Sequence, residues 1–181
     1  MIFKVLNFLA FQICWPLTVI SAAKGYPYTG VIATLIWASL HLFFLNKNKF
    51  EGAMLLLIAL CIGTFCETSL LLLGTVSYPD AALTAGPAPL WIIALWVNVA
   101  LTLNHCLSWI NKNLLLAVVL GMIFGPLAYN GGIRLGAITF DPVTGSMVIG
   151  LMWAVAMPLL ITINKLVHGQ TITHRSLDVE Y

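Results

Sequence analysis

Glu67 lies within an otherwise uncharged run, Gly52 to Val76, and a carboxyl group there can accept hydrogen bonds, pair with a cation or hold a proton. Counted from Gly52 at about 1.5 Å per residue, it sits roughly 22 Å along a helix, inside a hydrocarbon core about 30 Å thick. That is too deep for a loop residue, and an ionised carboxylate at such depth needs a partner. Arg134 is the cation whose expected depth comes nearest, either pairing with Glu67 or reaching out to the headgroups. His41 and His105 fall toward the opposite side, where the two rings can face each other. There they can hydrogen-bond between helices, handle a proton or hold a ligand. Cys106 beside them completes no HxxxH or HxxE spacing, so no metal is expected. Glu67 and His105 are the candidates for acid or base, with no catalytic assignment beyond that.

The surrounding residues fall into stripes at helical spacing. Asn98, Thr102, His105 and Trp109 share one helix face, as do Gly30, Thr34, Trp37 and His41, and again Gly63, Glu67, Leu70 and Gly74. Lipid offers no hydrogen bonds, so such faces belong inside a bundle or a wet cavity. Small and polar side chains on one face are also ordinary bundle glue, and for each stripe taken alone that reading comes first. Asn98, Thr102, Arg134, Tyr129 and His41 are the candidate binding residues. The run Gly125-Pro126-Leu127-Ala128-Tyr129-Asn130-Gly131-Gly132 collects helix-breaking residues at membrane depth, the pattern that builds sites in transporters and also a common kink. Two GxxxG spacings, Gly121 to Gly125 and Gly132 to Gly136, allow close backbone approach. Trp15, Gly125, Pro126, Gly132 and Gly136 are therefore expected to be structural.

Positioning these groups requires membrane helices. Of 181 residues, 61% are hydrophobic and 8% charged, with a formal net charge of +2, and the mean hydropathy is +1.01. A soluble domain carries about 25% charge, which excludes a solvated surface, and the weak, scattered positive charge excludes nucleic acid as a partner. The rare charges divide the chain into six expected spans, 3–23, 26–46, 52–76, 89–111, 114–133 and 144–164, followed by a polar cytoplasmic tail at 165–181. Lys4, Lys47, Lys49, Lys112, Lys165 and Arg175 fall on one face and Lys24 and Arg134 on the other, which predicts both termini inside. Ser21-Ala22-Ala23 imitates a signal-peptide cleavage site, although Asn7, Gln12 and Trp15-Pro16 interrupt the apolar region before it. Cys14, Cys61, Cys66 and Cys106 read as small apolar packers. The expected fold class is all-α, a polytopic transmembrane helical bundle of one domain, N-in and C-in, with no cofactor.

Several of these residues carry a resemblance that covers most of the chain in order. Trp15, the segment from Gly63 to the acidic Glu67, Pro89-Leu90-Trp91 with Leu95-Trp96, Gly125 to Tyr129, Arg134-Leu135-Gly136-Ala137 and Trp153 resemble a family of uncharacterised bacterial inner-membrane proteins of unknown function (DUF2878-like). The family's acidic position is usually Asp, so Glu67 departs conservatively and lengthens the reach of the carboxyl. The resemblance implies a compact helical protein of the bacterial cytoplasmic membrane and brings no activity. It also implies a weak link to gene sets that modify membrane fatty acids, and so a lipid-facing role.

Three functional readings compete. The first is a non-enzymatic accessory or scaffold that holds lipids or a membrane protein partner. The second is a small enzyme acting on lipid or acyl chains, with Arg134 holding an anionic headgroup. The third is a proton-coupled small-molecule carrier using Glu67 beside the interrupted fifth span. No GxSxG or HExxH motif and no inverted repeat occurs, which places the scaffold first and leaves enzymatic activity open. A water-reachable cavity ending on Glu67 would favour the carrier. A lateral opening to lipid beside Glu67, Asn98 or His105 would favour lipid chemistry, and a dry, packed interior the scaffold.

Overall fold

The computed structural model describes residues 2–46, 48–79 and 87–177, the last ten as backbone alone. Lys47, Asp80, Gly86 and the end of the tail at Tyr181 lie outside the described residues. The chain folds into α1 (Ile2–Ala23), α2 (Pro27–Phe44), α3 (Lys49–Leu72), α4 (Leu90–Leu103), α5 (Leu114–Arg134) and α6 (Thr144–Leu177). A short 3-10 turn at Ile110–Lys112 precedes α5. Among the described residues the only extended pairing is an isolated antiparallel bridge between Ser77 and Thr139. The fold class is all-α, a helical bundle.

Local chemistry explains where the helices start and stop. Asn48 caps α3 by accepting from the Phe50 and Glu51 amides, and Asn113 caps α5 by accepting from Leu116; both satisfy amides that a first turn leaves unpaired. The opposite ends of α1, α3 and α5 share one device. Gly25, Gly74 and Gly136 take positive φ of 81°, 66° and 78°, and the next residue's amide returns to Ser21, Leu70 and Gly132 respectively. This is a left-handed cap that glycine adopts without a Cβ clash. Gly136 therefore ends α5, and the Gly132 to Gly136 spacing is a cap and not the helix-packing motif expected from it. Gly132 itself packs against Ile138.

The expected fourth span, 89–111, is shorter than its uncharged run. Helix α4 stops at Leu103, and turns carry the chain from Asn104 to the 3-10 turn. The stop is held by side-chain amides. Asn7 Nδ2 donates to the Leu101 carbonyl at 3.0 Å while its Oδ1 accepts from the Cys106 amide. Asn111 Nδ2 donates to the Leu103 carbonyl at 2.9 Å. Asn104 and Asn164 exchange two hydrogen bonds, at 3.0 and 2.7 Å, that tie the end of α4 to α6. Irregular backbone at membrane depth is tolerated where protein groups satisfy it in this way.

Helix α4 is also the centre of the bundle, with eleven of its fourteen residues buried. A helix apolar on all sides belongs in a core. It packs against α1, α2 and α3; α5 packs against α6, and α3 also meets α6. The other five helices are long and apolar enough to cross a membrane. They turn large apolar side chains outward, among them Phe43, Phe65, Leu72 and Phe124, a surface that suits lipid and not water. The far ends of α3 and α5 meet through the Ser77–Thr139 bridge, whose hydroxyls also bond at 2.6 Å. At the other end Lys4 at the start of α1 reaches Ser108 just after α4.

Two further expectations are corrected. Helix α5 runs unbroken through Pro126. Proline there cannot bond the Met122 carbonyl, and Gly150 of α6 packs directly against that carbonyl. Asn130 Nδ2 then bridges the Pro126 carbonyl and the Ser146 hydroxyl. Helix α6 does not end at residue 164 but continues to Leu177, through most of the expected tail.

Candidate functional site

Glu67 is fully buried and forms the centre of a hydrogen-bond hub. Trp96 Nε1 donates to its Oε1 at 2.7 Å, the Tyr129 hydroxyl donates to the same oxygen, and the Tyr78 hydroxyl donates to Oε2 at 2.9 Å. Four segments converge there: α3 brings the carboxyl, the loop after it Tyr78, α4 Trp96 and α5 Tyr129. Burial, and then the neighbouring Glu67, push the Tyr78 hydroxyl far above the usual phenol range, so it stays a donor. Arg134 is exposed at the end of α5 and is not among the partners of Glu67. Of the two alternatives for Arg134, the structure does not form the ion pair, and Glu67 is met by three uncharged donors instead.

The tryptophans extend this hub. The Trp96 and Trp153 rings stack at 4.2 Å and 13°. Gly63 leaves room for Trp96, since a Cβ there would lie 2.5 Å from the indole. Gly121 and Gly125 do the same on α5, where a Cβ would lie 2.4 Å from the Trp153 carbonyl oxygen and 2.5 Å from its ring. This GxxxG spacing is a true close approach of α5 and α6.

Beside the hub lies an apolar cleft of about 810 Å³. Its walls are α1, through Phe8, Phe11, Trp15 and Val19, and α5, through Leu120, Phe124, Ala128 and Gly132. Its floor is α4, through Trp91, Leu95 and Val99, and its polar groups include Glu67, Tyr129 and Gln12. Wall helices α1 and α5 meet closely at Trp15 and Gly131, where a Cβ would lie 2.9 Å from the indole. The volume is within the range of sites that hold a drug-sized ligand. Trp91 Nε1, from a residue that lines the cleft, has no hydrogen-bond partner among the described residues.

The histidines form a second cluster. The His41 and His105 rings meet edge to face at 4.4 Å, with Trp37 at 5.6 Å from His41. Asn98 is fully buried with neither amide atom hydrogen-bonded, and the Thr34 hydroxyl is likewise unpaired. Thr102 turns its hydroxyl back onto the Val99 carbonyl. Asn98 and Thr102 keep the expected face of α4, whereas His105 and Trp109 lie beyond its end, Trp109 well exposed. Among the described residues no group of three His, Cys, Asp or Glu side chains could hold a metal.

Sequence reasoning singled out Glu67 and Tyr129 and missed Tyr78, Trp96 and Asn7 as polar partners. Asn7 had a usable signal, an amide within an apolar span. Tyr78 and Trp96 had none, because residue type marks them as turn and core.

A bundle of apolar helices around a buried central helix, with a cleft between two of the outer ones, defines an integral membrane protein. Residues 4–159 match a protein family of unknown function (DUF2878), and the chain belongs to that family. No curated protein and no solved structure matches it.

Proposed function

We propose that this protein is a non-enzymatic accessory of the bacterial cytoplasmic membrane that holds a lipid chain in the cleft between α1 and α5. The observation that carries this reading is the cleft itself: about 810 Å³, lined almost wholly by apolar and aromatic side chains, between two helices apolar enough to cross a membrane. Its neighbour across those helices is acyl chain, so occupation requires no desolvation of a polar ligand. Glu67 serves as a positioning residue, setting Trp96 and Tyr129 as part of the lining. Its full burial and three donors support that role over acid or base catalysis. In this reading the chain crosses six times with both termini inside, α4 and the turns after it making the fourth crossing.

The test is lipid retention. The full chain, purified in mild detergent, is expected to carry one lipid per chain by native mass spectrometry, and Ala128→Leu, which narrows the cleft where α5 lines it, is expected to weaken its retention. Equal retention by both proteins would show that the lipid sits elsewhere.

The Glu67 carboxyl in the cleft lining also favours a second reading, a small enzyme acting on an acyl chain. Glu67→Gln separates the two: an accessory retains its lipid unchanged in composition, whereas an enzyme accumulates unmodified chains in a complemented deletion strain.

A further inference from the structure

We propose that the occupant of the cleft is an anionic phospholipid, with its phosphate at the Lys4 and Lys112 end and one acyl chain running toward Tyr129. This rests on the lipid-holding reading above and names the ligand class.

Length supports a phospholipid chain. The lining positions run from Phe8 to Val19 on α1 and from Leu120 to Gly132 on α5, about 16 and 18 Å at about 1.5 Å per residue. One leaflet's share of a hydrocarbon core about 30 Å thick is about 15 Å. The cleft thus matches a single chain from one leaflet, entered from the side.

The two ends differ in charge and closure, and this orients the lipid. Lys4 lies one helical turn before Phe8, and its Nζ donates to the Ser108 hydroxyl at 3.1 Å, between the cleft-lining Leu107 and Trp109. Lys112 is exposed, two residues after the cleft-lining Ile110. Trp109, 53% exposed, stands at this mouth, a position that suits the headgroup level. The other end closes on Val19 and Ile138 and holds the Glu67 carboxyl, whose donors are already engaged. A phosphate is attracted by the two ammonium groups, and the closed far end is lined mainly by apolar side chains that suit an acyl chain, so headgroup and chain each have one place. Arg134, at that far end, takes no part.

The experiment reads headgroup preference in the full chain. Protein equilibrated with equal amounts of phosphatidylglycerol and phosphatidylcholine of the same chains is analysed by native mass spectrometry. The expected result is about tenfold enrichment of phosphatidylglycerol. The double variant Lys4→Gln, Lys112→Gln should lose this preference while still carrying one lipid, and Arg134→Gln should keep it. If the double variant fails to assemble, 0.5 M salt applied to the wild type supplies the same reading, since it should weaken retention of phosphatidylglycerol and not of phosphatidylcholine. Equal retention of the two lipids by the wild type, or loss of preference in Arg134→Gln, overturns the headgroup assignment and leaves the lipid-holding reading standing. Retention of neither lipid overturns the lipid-holding reading itself.

Discussion

A carboxyl that receives one indole N–H and two phenol O–H groups cannot be removed without leaving those donors unpaired in a core. Each stranded donor costs about 1 to 3 kcal/mol, with the sum reduced by relaxation. Glu67→Ala is therefore expected to lower stability by several kcal/mol, read as a depressed Tm in detergent, and Glu67→Gln by less. Arg134→Ala, at an exposed residue, should change it by no more than about 0.5 kcal/mol. A charge swap of the two should rescue nothing. An Arg134→Ala loss as large as that of Glu67→Ala would restore the ion pair. The depth of Glu67 was legible in the sequence because a single charge in an apolar run has one explanation. Its partners were not: Tyr78, Trp96 and Tyr129 are 11, 29 and 62 residues away, and nothing local in the chain marks them as donors to it.

At the scale of the helix, two glycines separate the reasons for which glycine is used. A Cβ at Gly121 would meet the Trp153 carbonyl at 2.4 Å, whereas one at Gly136 would meet nothing but require a positive φ. Gly121→Val should cost about 3 kcal/mol or more, since the α6 backbone must move, and Gly136→Ala about 1 kcal/mol, with the Tm order as the check. The start of α6 supplies a pH dependence. The Asp141 carboxylate accepts from the Thr144 amide at 2.7 Å, the Thr144 hydroxyl at 2.8 Å and the Val143 amide at 3.2 Å. These bonds, the Thr144 amide foremost, hold its carboxyl below the ordinary value of 3.8. A depressed carboxyl contributes stability that is fully present above its unfolded pKa and lost as pH falls through the folded one. The Tm advantage of wild type over Asp141→Ala should hold at neutral pH and shrink below about pH 4. Helix α4 is shorter than the expected fourth span because an uncharged run does not reveal where side-chain amides from α1 will end a helix.

At the scale of the bundle, the cleft of about 810 Å³ is volume that helix packing leaves unfilled. Narrowing it should stabilise the protein and displace the proposed lipid together. Ala128→Leu is expected to raise stability by about 0.5 to 2 kcal/mol while weakening lipid retention, a trade-off common where a site is an under-packed region. A variant that loses both stability and lipid would mean that the position is already close-packed. The Asn98 amide and Thr34 hydroxyl, buried without hydrogen-bond partners, mark a second place where the bundle departs from complete satisfaction of its polar groups.

The amino-acid sequence by itself determined that this is an all-α membrane protein, and it set the approximate helix limits of α1, α2, α3 and α5. Hydropathy, charge spacing and turn residues act locally, so they can be read along the chain. It also singled out Glu67 as a buried acid. Tertiary structure alone decided that Glu67 is met by three uncharged donors and not by Arg134, that α4 is a short central helix, and that α1 and α5 enclose a cleft. Those outcomes depend on which faces meet across distances that no local periodicity encodes, and on volume left unfilled, which has no residue of its own.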